Sequence, residues 1–302
     1  MKIDLFKPRS NKRCIREAFC AYIDNLPEIF RRMWLPALLY AVFMAATLYL
    51  RIPNKALHDW GASSPITSFI IQTVIYLLMI FVSFVFAGGF FRLFNDKRLT
   101  WNLWRYAKVA CALLVVALLL ASITSILAKN IPSPLSFPSP LSFPSPDWLT
   151  LALSIGGIAL LLTISVVMLL PFAYAIPKYM LNEKDKLKSI FQNYKIGLRQ
   201  VGGLFVTTLI LSLIFGAIMF IIAMPVYIIV LAQTFSQLGA LQGDDLGIPA
   251  YFPYLVFGVL VIFSFILTFA MIYSNMVYVF IYGSTTSKEY EIKQMEKYHE
   301  TD

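Results

Sequence analysis

The sequence predicts an all-α, polytopic transmembrane helical bundle of about six spans, arranged as three hairpins, each preceded by a short amphipathic interfacial helix, with both termini cytoplasmic. Three observations predict it. Long apolar runs lift the hydrophobic fraction to 59%, above the roughly 45–50% usual in soluble domains. All of the 25 Lys and Arg residues except Arg51, Lys55 and Lys129 fall in the N-terminal segment, the alternate connections and the C-terminal tail, which is the distribution the positive-inside rule produces. Runs such as 111–121, CALLVVALLLA, lack the alternation that a membrane barrel strand requires.

A hydrocarbon core about 30 Å thick needs about 20 helical residues, because unpaired backbone groups are too costly in lipid for any open structure. The spans therefore read as 33–50, 66–91, 109–128, 148–177, 201–233 and 251–283. They make one integral membrane domain over 1–302. A cytoplasmic amphipathic segment covers 1–32 and hairpin one covers 33–91. Hairpin two covers 99–182 with a Pro/Ser-rich outer loop at 131–147, hairpin three covers 184–283, and a cytoplasmic tail covers 284–302. The last three runs exceed the minimum span, so they are expected to tilt, kink or project, with Pro171, Pro177 and Pro225 as kink points.

The net charge of +9 is accounted for by basic flanks on one side of the membrane, and no nucleic-acid partner is expected. About 32 mixed residues precede the first span, unlike the short basic region of a cleaved leader, so this helix is expected to be retained. Cys14, Cys20 and Cys111 fall on the inner side or within a span, where disulfides are not expected.

Each hairpin is entered through a stretch with two aromatics three positions apart: Phe19 with Tyr22, Trp101 with Trp104, and Phe191 with Tyr194. In the first, Ile15, Ala18, Phe19, Tyr22, Ile23 and Leu26 keep helical spacing while Arg16, Glu17, Asp24 and Glu28 lie off that face. Leu187, Ile190, Phe191, Tyr194 and Leu198 repeat the pattern in the third. Such an elbow lies at the headgroup boundary, rings inward and cations toward anionic lipid. Phe19, Tyr22, Arg31, Arg32, Trp101, Trp104, Lys186, Lys188, Phe191 and Tyr194 are the expected contacts for lipid or a protein partner. The second helix of each hairpin ends in further aromatics, read as an interfacial belt. In the outer loop the hexamer SPLSFP occurs twice in tandem, which predicts an extended, semi-stiff spacer.

Ionisable groups inside a membrane mark function by default, and the central portions of the six spans contain none. This speaks against a carboxylate-based proton carrier, a voltage sensor and an intramembrane aspartyl protease. With only His58 and His299 as histidines, a zinc site or a Ser-His-Asp triad has almost no raw material. No catalytic residue, cofactor or metal ligand is expected. His58-Asp59-Trp60 reads as a solvated loop, and Asp244-Asp245 as a hydrated turn. Gln72, Ser83, Thr163, Ser165, Thr207 and Thr208 read as helix-packing groups. Ser274 and Asn275 form the polar position of most interest, either packing helices or lining a substrate path.

The elbows REAFCAYIDNLPEIFRRMW and LKSIFQNYKIGLRQVGG, each followed by a two-helix hairpin, resemble those of poorly characterised bacterial six-helix inner-membrane families. These families include the membrane domain attached to some glycerophosphodiester phosphodiesterases. The resemblance covers most of the chain through its layout rather than a diagnostic motif. It implies a membrane module, and neither the hydrolase activity nor its catalytic residues are expected to carry over. The expected function is that of a non-enzymatic multi-pass plasma-membrane protein, a scaffold, accessory subunit or envelope-homeostasis factor. The alternative is a channel or carrier for an uncharged or lipid-like solute.

Overall fold

The computed structural model describes residues 4–52, 64–95, 97–130, 156–157, 163, 165–183, 185–241, 249 and 251–299. Among them the only regular structure is helix: α1 (Asn11–Asp24), α2 (Leu26–Tyr49), α3 (Pro65–Arg92), α4 (Leu99–Asn130), α5 (Phe172–Leu181), α6 (Ser189–Arg199), α7 (Val201–Leu241) and α8 (Phe252–His299). Five stretches are long and apolar enough to cross a membrane: Leu26–Tyr49, Pro65–Arg92, Leu99–Leu118, Val201–Ser236 and Phe252–Met295. The described chain is all-helical, with helices suited by length and composition to a membrane. The fourth expected span, 148–177, falls mostly outside the described residues, and its described end is the apolar helix Ser165–Leu181. The Pro/Ser-rich loop 131–147, His58-Asp59-Trp60 and Asp244-Asp245 also lie outside them.

Helix boundaries differ from the sequence reading in a consistent way: the helices run past the hydrophobic runs. The first span begins at Leu26, not at 33, because Pro27 occupies the first turn, where its missing N–H is no loss. The middle elbow is not a separate helix. Trp101 and Trp104 sit in the opening turns of α4, which continues from Leu99 to Asn130 without a break. The C-terminal tail likewise continues α8, whose 48 residues reach roughly 70 Å, about twice a hydrocarbon core. Pro36, Pro177 and Pro225 lie inside helices that continue beyond them.

The chain forms two compact units, Met1–Tyr106 with Thr207–Asp302, and Ala107–Val206. In the first, α2 packs between α8 and α3, and α1 lies along α8. The cause is a stripe on α2: Ile29, Met33, Ala37, Ala41 and Ala45, four residues apart, are all fully buried. The alanines let backbones approach closely where lipid gives no hydrophobic drive for helix association. Ala45 meets Val256 and Leu260 of α8, with Val226 and Val230 of α7 around them. Gly89 of α3 faces the Met33 thioether, 3.2 Å from where its Cβ would stand. By contrast, Ile66, Phe69, Ile70, Leu77 and Phe81 of α3 are exposed, an apolar surface suited to lipid.

In the second unit α5 packs on α6. Gly197 of α6 makes this possible, since a Cβ there would stand 2.7 Å from the Pro171 carbonyl oxygen.

Candidate functional site

The first elbow is fixed by a residue that sequence reasoning passed over, Arg9. Its guanidinium is buried although it precedes the first helix. Nη1 donates to the Leu5 carbonyl at 2.9 Å and Nη2 to the Asp4 carbonyl at 2.7 Å. Nε pairs with the Glu17 carboxylate, and the charge sits 5.5 Å from the Phe280 ring centre. The backbone joins in: Arg9 N–H donates to Ser284 Oγ at 2.8 Å, and that hydroxyl donates to the Arg9 carbonyl at 2.9 Å. Residues 4–10 are thereby laid against α8. Gly283 admits them, because any Cβ would run into the Leu5 carbonyl. Burial alone raises the Glu17 carboxyl, but hydrogen bonds from Arg13 and Arg9, with their charges, outweigh it and hold the group below its ordinary value. Cys14, one turn on, is buried against the Phe280 carbonyl, and burial pushes its thiol up.

Beyond this clamp α1 presents two faces. Cys14 and Ala18 are buried, and α1 packs on α8. Lys12, Ile15, Arg16, Phe19 and Tyr22 line an apolar groove of about 640 Å³. Its other walls are Ile210, Ile214, Phe215 and Ile218 of α7, and Phe269, Ala270 and Tyr273 of α8. Tyr273 organises the aromatic end, with Phe19, Tyr22 and Phe215 ring centres 5.9, 5.8 and 5.6 Å away. Two hydroxyls tie the walls together: Tyr22 donates to the Phe269 carbonyl and Tyr273 to the Ile15 carbonyl, each at 3.3 Å. Phe19 and Tyr22 were predicted, and the structure brings them together. Tyr273, on α8, also lines the groove.

Arg31 and Arg32 go elsewhere. With Arg92 and Asn95 from the end of α3 they line a polar cavity of about 690 Å³. Arg32 is paired with Glu28 at 2.7 Å. Asn95 and the fully buried Asn102 exchange two amide hydrogen bonds of 3.0 Å, closing the connection from α3 to α4. Trp101 carries the Arg105 guanidinium 4.7 Å from its ring centre, whereas Trp104 is exposed.

In the second unit Lys186 and Lys188 are exposed in the turn before α6, and Phe191 is exposed on it. Tyr194 packs on Phe172, ring centres 4.9 Å apart, and its hydroxyl donates to the Met168 carbonyl at 3.0 Å. The Asp185 carboxylate fixes this elbow, accepting from Asn182 at 3.0 Å and from the buried Asn193 at 3.1 Å.

Ser274 Oγ donates to the Ala270 carbonyl one turn back, a bond within its own helix. Asn275 is half-buried, and neither it nor Ser274 lines the two cavities above. Thr208 bonds Tyr278 across α7 and α8 at 3.0 Å. Among the described residues no group of three or more His, Cys, Asp or Glu is placed to hold a metal. No protein-family model, no curated protein and no solved structure matches this chain.

Proposed function

We propose that this is a non-enzymatic multi-pass plasma-membrane protein of the bacterial inner-membrane kind, with both termini cytoplasmic, acting as a scaffold or accessory subunit. The observation that carries this reading is the rigid extension of the basic end. Arg9 and Ser284 clamp the N-terminal segment to α8, and α8 then continues as helix to His299 with Tyr290, Ile292 and Met295 exposed. Such a projection has no role within a bilayer and presents a preformed surface to a protein partner, while the cations beside it meet anionic lipid. The positive-inside distribution supports the sidedness.

The test is extraction in native lipid particles followed by mass spectrometry of everything that co-purifies. A protein partner recovered at a fixed ratio is the expected result. Removing residues 288–302, or neutralising Arg31, Arg32, Lys186 and Lys188 together, should weaken that recovery. Undiminished recovery from both variants counts against the scaffold reading.

A further inference from the structure

The groove between α1, α7 and α8 has the chemistry of a single bound amphiphile. Its lining from α7 and α8 is apolar, and its volume of about 640 Å³ falls within the usual range for small-molecule sites, about 300–1,000 Å³. At one end stand Lys12 and Arg16, one helical turn apart on the same face of α1. The two cations also line an adjoining polar hollow with Ser10, Arg13, Glu17 and Cys20. Charge in that hollow is unevenly used. Glu17 is engaged by Arg13 at 2.7 Å and by Arg9, whereas neither Lys12 nor Arg16 has an ion-pair partner among the described residues. A hydrophobic slot thus opens beside two uncommitted cations.

We infer that this groove binds one anionic glycerophospholipid, an acyl chain lying against Ile214, Phe215 and Tyr273 and the phosphate meeting Lys12 and Arg16. Charge complementarity chooses the occupant: a zwitterionic lipid fills the slot equally well but brings its own cation to Lys12 and Arg16, and an apolar peptide leaves both unanswered. Ala270 gives the chain its room, as the small residue between Phe269 and Tyr273 on the groove wall. The clamp at Arg9 holds α1 at a fixed position, so the lipid meets a preformed site. The inference rests on the reading that this end of the bundle meets an anionic leaflet, and it names the lipid held there.

The test uses the full chain in mild detergent, titrated with phosphatidylglycerol and separately with phosphatidylcholine of the same acyl chains, bound lipid being counted by native mass spectrometry. One phosphatidylglycerol should be retained with clear preference over phosphatidylcholine. Replacing Lys12→Ala and Arg16→Ala together should remove that preference, a drop of roughly thirty-fold for phosphatidylglycerol with little change for phosphatidylcholine. Ala270→Trp should reduce retention of both lipids, and because the charge variant alters only exposed side chains, it decides the matter if the tryptophan variant misfolds. Equal retention of the two lipids, or a preference that survives the double substitution, overturns the site. Carbonate extraction of cell membranes separates the two levels. A chain that stays in the membrane pellet but shows no preference loses only the lipid site, and one released by carbonate loses the membrane reading as well.

Discussion

The first and third elbows begin from nearly the same pattern, an amphipathic helix with an aromatic pair three residues apart, yet they are held by opposite charges. In α1 a buried cation does the work: Arg9 gathers two carbonyls and the Glu17 carboxylate, and Ser284 closes on its backbone. In α6 an anion does it, the Asp185 carboxylate gathering the amides of Asn182 and Asn193. Both then add the same small tie, a tyrosine hydroxyl given to a carbonyl outside the elbow helix, Tyr22 to Phe269 and Tyr194 to Met168. Repetition in sequence therefore predicts the shape of an elbow and its aromatic contact, whereas each lock centres on a charge that precedes the repeat, Arg9 or Asp185. The α1 elbow also lines the apolar groove described above, with cations at its mouth.

The largest effect should come from Arg9→Ala. It leaves the Leu5 and Asp4 carbonyls without their partner and the partly buried Glu17 carboxylate with Arg13 alone, and removing the buried member of such a pair costs about 3 kcal/mol. Thermal unfolding in detergent should show the loss, and Arg9→Lys should recover little of it, because an ammonium cannot reproduce the planar fork. Asp185→Ala strikes the corresponding lock of α6 and should cost less, about 1–3 kcal/mol, since the orphaned partners are neutral amides. If the two substitutions prove equal, the contrast between the elbows fails.

A smaller change should follow from Tyr22→Phe and Tyr194→Phe, each of which deletes one hydroxyl and keeps its ring. About 0.5–1.5 kcal/mol apiece is expected in the same unfolding assay. Loss of several kcal/mol from either would mean that the hydroxyl, not the buried charge, is the lock.

The smallest effect is one of pH. The Glu17 carboxyl titrates below its ordinary value of 4.5 when folded. Its contribution is therefore fully present above about pH 4.5 and disappears as pH falls through the lower folded value. The stability gap between wild type and Glu17→Gln should stay constant from neutral pH to that point and close only below it. Partial exposure of Glu17, 30% of its side chain, keeps the gap modest through solvent screening.

Helix content, five long apolar helices and the aromatic pairs were legible in the sequence because they depend on local composition and a 3.6-residue period. Helix ends were not. The charged turns of α4 and α8 continue as helix beyond the apolar runs used to find them, and hydropathy does not register a polar helix. The tryptophan pair belongs to α4 for that reason. Arg9 was hidden more deeply: its importance arises from Ser284, a neighbour 275 positions away, and no periodicity connects the two. Gly283 gave a faint signal, a glycine inside a helix with no turn to justify it. The groove was half visible, its α1 face readable from the spacing of Phe19 and Tyr22, its α7 and α8 walls fixed only by packing. Ser274 attracted notice as a polar group in an apolar run, but its bond to Ala270 satisfies it within one helix turn.

The difference between the two elbows is tested most directly by limited trypsin digestion of the full chain in mild detergent, with cleavage sites assigned by mass spectrometry. The Arg9 side chain is buried and held by backbone carbonyls and the Glu17 carboxylate, while Lys186 and Lys188 stand exposed in the turn before α6. Cleavage should occur first after Lys186 or Lys188, with the Arg9–Ser10 bond intact until the protein unfolds. In Arg9→Lys the bond after residue 9 should become an early site. Cleavage after Arg9 in the wild-type chain as fast as after Lys188 would contradict the clamp, and with it the preformed basic end on which the proposed function and the lipid site stand.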